Sequence, residues 1–276
     1  MSILQALILG FVQGATEFIP VSSSGHLVLV PWLLGWPSPS LVFDTMVHWG
    51  TLIAVVGYFW RDWRALITAW LRGLRHWDWR DPLARLAWLL VIGTVPAAVI
   101  GFFLEDWFES LFSEPVWVSL FLLVTAGLLV LGEWFGRRSY AAGGDRHIDS
   151  LQWPHALVIG FAQAAAIAPG ISRSGATIAT GLSGGLGRTV AARFSFLLST
   201  PIILGAGLLQ LSELFSTPDA MAQAPTLAAG FLVAAVTGYV CIWWLLRYLQ
   251  RGRLYPFAVY CAAFGIFCLV VAWLRL

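Results

Sequence analysis

Lysine is absent from this chain, and charge of either sign is scarce: 11% of residues are charged against 59% apolar. A soluble domain carries about 25% charged and roughly 45–50% apolar residues, so the composition excludes that class. A net charge of +2 leaves no basic surface of the kind that nucleic-acid binding needs. Cysteine is nearly missing too. Cys241, Cys261 and Cys268 all lie in apolar stretches, where thiols pack as small core residues. They supply neither a disulfide framework nor a zinc spacing, and no Walker motif or dinucleotide fingerprint occurs. A secretory leader is not expected either. Residues 3–12 are apolar, but no basic segment precedes them, and Gln13 and Glu17 interrupt the place where a cleavage site would be prepared.

Long apolar runs are what the chain has instead, with a mean hydropathy of +0.80. Stretches 41–60, 86–104, 115–132, 189–209, 226–246 and 255–274 are each long enough to cross a hydrocarbon layer of about 30 Å. Sixteen tryptophans fit an interfacial aromatic belt. The expected class is an all-α polytopic membrane protein.

All sixteen basic residues are arginine, and they cluster. Arg61, Arg64, Arg72, Arg75, Arg80 and Arg85 fill one connection, Arg137, Arg138 and Arg146 a second, Arg247, Arg251 and Arg253 a third. The alternate connections are acidic, with Glu105, Asp106, Glu109 and Glu114 in one and Glu213 and Asp219 in another. The positive-inside rule places the arginine set in the cytoplasm and the acidic set outside. Both termini then lie outside. Arg188 and Arg193 are expected to snorkel to the cytoplasmic face or anchor it.

One segment occurs twice. Residues 10–25 read GFVQGATEFIPVSSSG and residues 160–175 read GFAQAAAIAPGISRSG, offset by 150 positions without a gap. Gly10, Phe11, Gln13, Ala15, Ser22, Ser24 and Gly25 recur as Gly160, Phe161, Gln163, Ala165, Ser172, Ser174 and Gly175. Seven identities at fixed spacing point to duplication. A helix over 3–18 would reach about 24 Å and one over 25–35 about 16 Å, too short to cross. Each copy is therefore expected to enter the membrane and return, as a re-entrant helix-loop-helix. The expected architecture is six transmembrane helices plus two such segments in an inverted-topology repeat. It forms a single membrane domain over 1–276: repeat one 1–136, a linker 137–153 with Gly143 and Gly144, and repeat two 154–276.

Glu17 is the first candidate for chemistry. An ionisable group inside a bilayer costs about 2.5–3.5 kcal/mol even on the mild insertion scale, so it is functional by default. Gln13, four residues earlier, shares its helical face. Pro20 ends the first half-helix, and Ser22, Ser23 or Ser24 starts the returning one as an N-cap. A helix N-terminus at that depth suits a phosphate. His26, just inside it, could donate, accept or attack. The second copy departs: Glu17 becomes Ile167, His26 becomes Ala176, and Ser23 becomes Arg173 between Ser172 and Ser174. A guanidinium fork binds phosphate oxygens bidentately. One repeat thus offers acid, base or nucleophile and the other an anion clamp, although a plain salt bridge to Glu17 is also open to Arg173. Asp44 and His48, four apart near the outer end of the first span, either line the cavity or bond locally along the helix.

Gln13 to His26, read as Q-x-x-x-E-F-I-P-V-S-S-S-G-H, and Pro169 to Thr177, read as P-G-I-S-R-S-G-A-T, resemble the bacterial undecaprenyl-diphosphate phosphatases of the bacitracin-resistance type. F-D-x-x-x-H-x-G-T (Phe43 to Thr51) and F-S-F-L-L-S-x-P (Phe194 to Pro201) extend the likeness along the chain. The resemblance implies an integral enzyme of the bacterial inner membrane, with its site facing the exterior. It would hydrolyse undecaprenyl diphosphate to undecaprenyl phosphate, recycling the carrier for peptidoglycan and conferring bacitracin resistance. It places the catalytic roles on Glu17, Ser23, His26 and Arg173. Gln13 stands where the family often has glutamate, which removes one carboxylate. Gln13, Ser22, Ser24, Ser172, Ser174, Asp44 and His48 are the expected substrate contacts. Glu17 is the candidate ligand should Mg²⁺ or Ca²⁺ take part. Expected partners are the polyprenyl diphosphate and membrane lipids, not nucleic acid; a homodimer is also open to the chain. A lipid-phosphate transporter or flippase is the competing reading, because inverted repeats with broken helices are a transporter architecture.

Overall fold

A computed structural model describes residues 1–76, 81–112, 114–141, 148–210 and 220–275. Arg80, Arg146, Glu213, Asp219, Gly143 and Gly144, invoked above for topology and for the linker, lie outside the described residues. Those that are described form helices and short connections without a strand. Among the described residues, six helices are long and apolar enough to cross a membrane: α3 (Leu41–Tyr58), α5 (Pro82–Phe103), α7 (Pro115–Ala141), α10 (Arg188–Leu209), α11 (Ala220–Tyr248) and α12 (Tyr255–Leu274). Large apolar side chains such as Phe102, Val236 and Val259 are exposed on their outer faces. For a chain of this hydropathy, that outer surface is the one that lipid would cover.

The duplicated segments form two broken helices. In the first copy, α1 (Ile3–Phe18) gives way at Ile19–Pro20 to α2 (Ser23–Leu34); in the second, α8 (Trp153–Ala165) is followed by α9 (Arg173–Ser183). Local chemistry sets each start. Ser2 and Gln5 close a capping box on α1, satisfying two of the donors that a helix N-terminus leaves free. Ser22 caps α2 by accepting from the Gly25 N–H at 3.2 Å, and Ser172 caps α9 by accepting from the Gly175 N–H at 3.0 Å.

The same equivalence governs packing. α1 packs on α11 and α8 packs on α5, and the duplicated glycines make both approaches possible. A Cβ on Gly10 would lie 2.5 Å from the Gly230 carbonyl oxygen, and one on Gly160 would lie 2.5 Å from the Gly93 carbonyl oxygen. Neither crossing could accept a side chain. The two breaks also meet: a Cβ on Gly25 would sit 3.1 Å from Gly170 Cα, while Gly170 itself has φ +100°.

Three sequence readings change. The arginine-rich connection is largely helical, as α4 (Trp60–His76), because Leu66 and Ala69 bury against the bundle and Trp70 packs edge-on against Trp88 of α5. The helix ahead of the linker is longer than expected, since α7 continues through Arg137 and Arg138 to Ala141. Arg138 lies over the Trp134 ring there. Arg188 and Arg193 do more than snorkel. Arg188 pairs with the fully buried Glu133, which also accepts from the Leu254 N–H at 3.2 Å, and Arg193 pairs with Asp62 at 2.7 Å. A connection of the acidic set contains α6 (Glu105–Phe112).

Candidate active site

Glu17 occupies the last turn of α1, 6% exposed, and Arg173 opens α9. The break after each copy brings them face to face. Arg173 Nη2 donates to Glu17 Oε1 at 2.7 Å. Ser23 Oγ donates to Glu17 Oε2 at 2.5 Å, and Gln13 Nε2 donates to the same oxygen at 3.0 Å. A charge-assisted pair of this kind compensates the burial of both ions. Arg173 Nη1, by contrast, is buried and has no hydrogen-bond partner among the described residues. One arm of the fork holds the carboxylate and the other points at nothing that accepts.

These groups open into a cavity of about 320 Å³. Its polar lining comes mainly from the first copy and the helix after it: Glu17, Ser23, Ser24, Asp44 and His48. The same cavity is lined by Ile167, Ile171, Ile202, Ile203 and Ala206, and by Arg173. His48 Nε2 lies 3.9 Å from Glu17 Oε2. Its Nδ1 donates to the Asp44 carbonyl at 2.7 Å, which leaves Nε2 to face the cavity. Asp44 Oδ1 is buried without a partner among the described residues.

The structure therefore brings together Glu17, Ser23, Ser24, Arg173, Asp44 and His48, with Gln13 behind Glu17. Three expected substrate contacts stand elsewhere. Ser22 and Ser172 turn their hydroxyls into their own helix starts as caps, and Ser174 Oγ reaches Ser172 Oγ at 3.2 Å and the Ile19 carbonyl at 3.5 Å. Ser22 is held at φ 72°, a region costly for a residue with a Cβ.

His26, expected beside the phosphate, is not among the described residues that line the cavity. Its Nδ1 donates to the Ser22 carbonyl at 2.7 Å, so Nε2 accepts from the Tyr260 hydroxyl at 2.7 Å. The ring is stacked with Phe264 at 4.9 Å between centroids. α2 turns that face toward α12 because one position in three or four on a helix faces the same neighbour. His26 is bonded to the serine turn; His48 is the histidine that lines the cavity, 3.9 Å from Glu17.

The sequence reading missed Trp49, Thr45 and Gln210, which complete the cavity wall. Thr45 Oγ1 donates to Gln210 Oε1 at 2.6 Å, tying α3 to the end of α10. The available signal was a glutamine just past the apolar run 189–209. For a divalent ion the donors fall short. Among the described residues no three Asp, Glu, His or Cys side chains converge as ligands. Both Glu17 oxygens already accept hydrogen bonds, so the chemistry below passes no step through a metal.

A family model described as bacitracin resistance protein BacA matches residues 6–267. An undecaprenyl-diphosphatase of Rubrobacter xylanophilus is 47% identical over 280 residues, covering all of both chains. One of Desulforudis audaxviator is 42% identical over 275 residues, and one of Moorella thermoacetica 43% identical over 275 residues, again covering all of both chains.

Proposed function

Because the chain belongs to the bacitracin resistance protein BacA family, we propose that it hydrolyses undecaprenyl diphosphate to undecaprenyl phosphate and inorganic phosphate in the cavity built around Glu17. It is a multi-pass membrane enzyme. The observation that carries the site assignment is the bridge formed by Glu17. Its carboxylate accepts from Ser23 and from Arg173 at once, and it does so in a cavity that Ile167, Ile171, Ile202 and Ile203 also line.

The reaction follows from those positions. The terminal phosphate takes the free arm of Arg173 and then draws the guanidinium from Glu17, which frees the carboxylate to act as a base. Glu17 removes the Ser23 proton as Oγ attacks the terminal phosphorus. The bridging P–O bond breaks, and undecaprenyl phosphate leaves. Protonated His48 can supply a proton at the leaving oxygen, since its Nε2 faces the same space. Glu17 passes the Ser23 proton to His48, which the leaving oxygen has left neutral and whose Nε2 lies 3.9 Å away, and is a carboxylate again. Water then attacks the phosphoserine and gives a proton to Glu17, and Ser23 Oγ takes that proton from Glu17 as it leaves phosphorus. Arg173 stabilises the charge on the transferring phosphoryl group in both steps. Ile167, Ile171, Ile202 and Ile203 receive the first units of the prenyl chain, which continues into lipid.

The two broken helices are re-entrant halves of an inverted repeat, and the diphosphate enters from the outer face with both termini outside. Support comes from the matched caps, from the matched glycine crossings, and from the segregation of arginine and carboxylate between alternate connections. At 11–16 residues, α1, α2, α8 and α9 reach about 16–24 Å each, less than a bilayer core.

The test uses purified protein in detergent with undecaprenyl diphosphate. Phosphate release is expected from the native chain, and Glu17→Gln should lower it at least about 10³-fold. Release within tenfold of native by that variant would remove Glu17 from the mechanism.

A further inference from the structure

α4 carries three faces, and the proposed hydrolysis uses none of them. One buries Leu66 and Ala69 against the bundle. A second runs through Trp60, Ile67, Leu71 and Leu74, which are 50%, 51%, 55% and 40% exposed. Between that stripe and α5 lies the third. Arg61, Arg64, Thr68 and Arg72 recur at steps of three and four residues and therefore stack along one side of the helix. Together with Trp60, Ala65 and Leu83 they line a groove of about 400 Å³.

Among the described residues the groove has no carboxylate in its lining. Asp62, the one acidic residue on α4, turns away to Arg193 at 2.7 Å. Arg61 and Arg64 lie over the Trp60 ring at 5.4 and 6.0 Å from its centroid, and Arg72 Nε donates to the Thr68 carbonyl at 3.4 Å. Three arginines thus line one groove beside an exposed apolar stripe. An amphipathic helix of this kind lies in the interface of a bilayer, and arginine clusters there attract anionic head groups.

We infer that the groove between α4 and α5 is a binding site for an anionic phospholipid, whose phosphate is held by Arg61, Arg64 and Arg72 while its acyl chains lie along Trp60, Ile67 and Leu71. A free phosphate or a soluble acidic peptide would match the arginines but not the exposed stripe beside them. The site is separate from the Glu17 cavity and shares no lining residue with it.

Native mass spectrometry of the full chain, with phosphatidylglycerol and phosphatidylcholine added in equal amounts, tests this. The native protein should retain phosphatidylglycerol preferentially. R61A/R64A/R72A should lower that preference at least about tenfold while keeping detergent-solubilised hydrolysis within about twofold. R137A/R138A, which removes two cations outside the groove, should keep the preference. L71S, which keeps all three cations, should shorten retention of the lipid without abolishing the preference. An unchanged preference in the triple variant would overturn the assignment. So would equal loss in R137A/R138A, because the attraction would then be diffuse charge.

Discussion

The two copies of the duplicated segment agree where they pack and cap, and differ where they line the cavity. Gly10 and Gly160 make the same close crossing, Ser22 and Ser172 the same cap, and Phe11 and Phe161 are both exposed on the outer face. Gln13 and Gln163 are both buried, but Gln13 donates to Glu17 while Gln163 reaches the Gly93 carbonyl at 3.5 Å. At the cavity the copies part. Glu17 and its own counterpart Ile167 line the same space, and so do Ser23 and its counterpart Arg173. One copy supplies a carboxylate and a hydroxyl; the other supplies a cation and an apolar wall. The cavity thus combines charged and hydroxyl groups with isoleucines, the two chemistries that a lipid diphosphate also combines.

Not every difference is chemical. His26 has become Ala176 in the second copy, yet His26 is turned to Tyr260 and Phe264. A difference between copies marks chemistry only where the position faces the cavity.

The comparison breaks most sharply at Arg173. Arg173→Ala should lower phosphate release by about 10³–10⁵-fold, as loss of a transition-state arginine does. Arg173→Lys, which keeps the charge and loses the fork, should recover only part of that. Equal activity of the lysine variant and the native enzyme would show that charge alone suffices. A smaller effect separates the histidines. His48→Gln should slow turnover about 10²-fold, whereas His26→Gln, whose amide can still donate to the Ser22 carbonyl, should stay within about tenfold. The reverse order would move the proton donor to His26. The shared scaffold gives the smallest effect. Gly10→Ala and Gly160→Ala should each destabilise the fold by roughly 1–3 kcal/mol, read as similar drops in thermal midpoint in detergent. A large inequality would mean that the two crossings are not equivalent.

Much of this was legible in residue order. Spans announce themselves by composition, since crossing lipid demands about 20 apolar residues in a row, and the six observed helices overlay the six expected runs. Glu17, Ser23 and Arg173 were legible because ionisable and hydroxyl groups are conspicuous in an apolar run. The direction in which a side chain leaves a short helix was not. His26 lies three residues after Ser23, so a rotation of a few tens of degrees in α2 decides whether it meets the cavity or Tyr260. Glu133 and Gln210 were passed over because each stands at the edge of an apolar run, where a polar residue ordinarily meets water or head groups. Only packing shows that Glu133 is fully buried and paired with Arg188. The helical character of α4 was hidden for a related reason: its arginines read as a loop until Leu66 and Ala69 are seen to share a buried face.

The central claim is that the residue pair Ser23 and Arg173, one position seen twice, divides attack from anion binding. Single-turnover phosphate release by Ser23→Ala tests it most directly, with binding of undecaprenyl diphosphate measured on the same sample. The account predicts a rate constant lower by at least about 10³-fold with binding retained. A rate within tenfold of native would contradict it, because water rather than Ser23 would then attack the phosphorus.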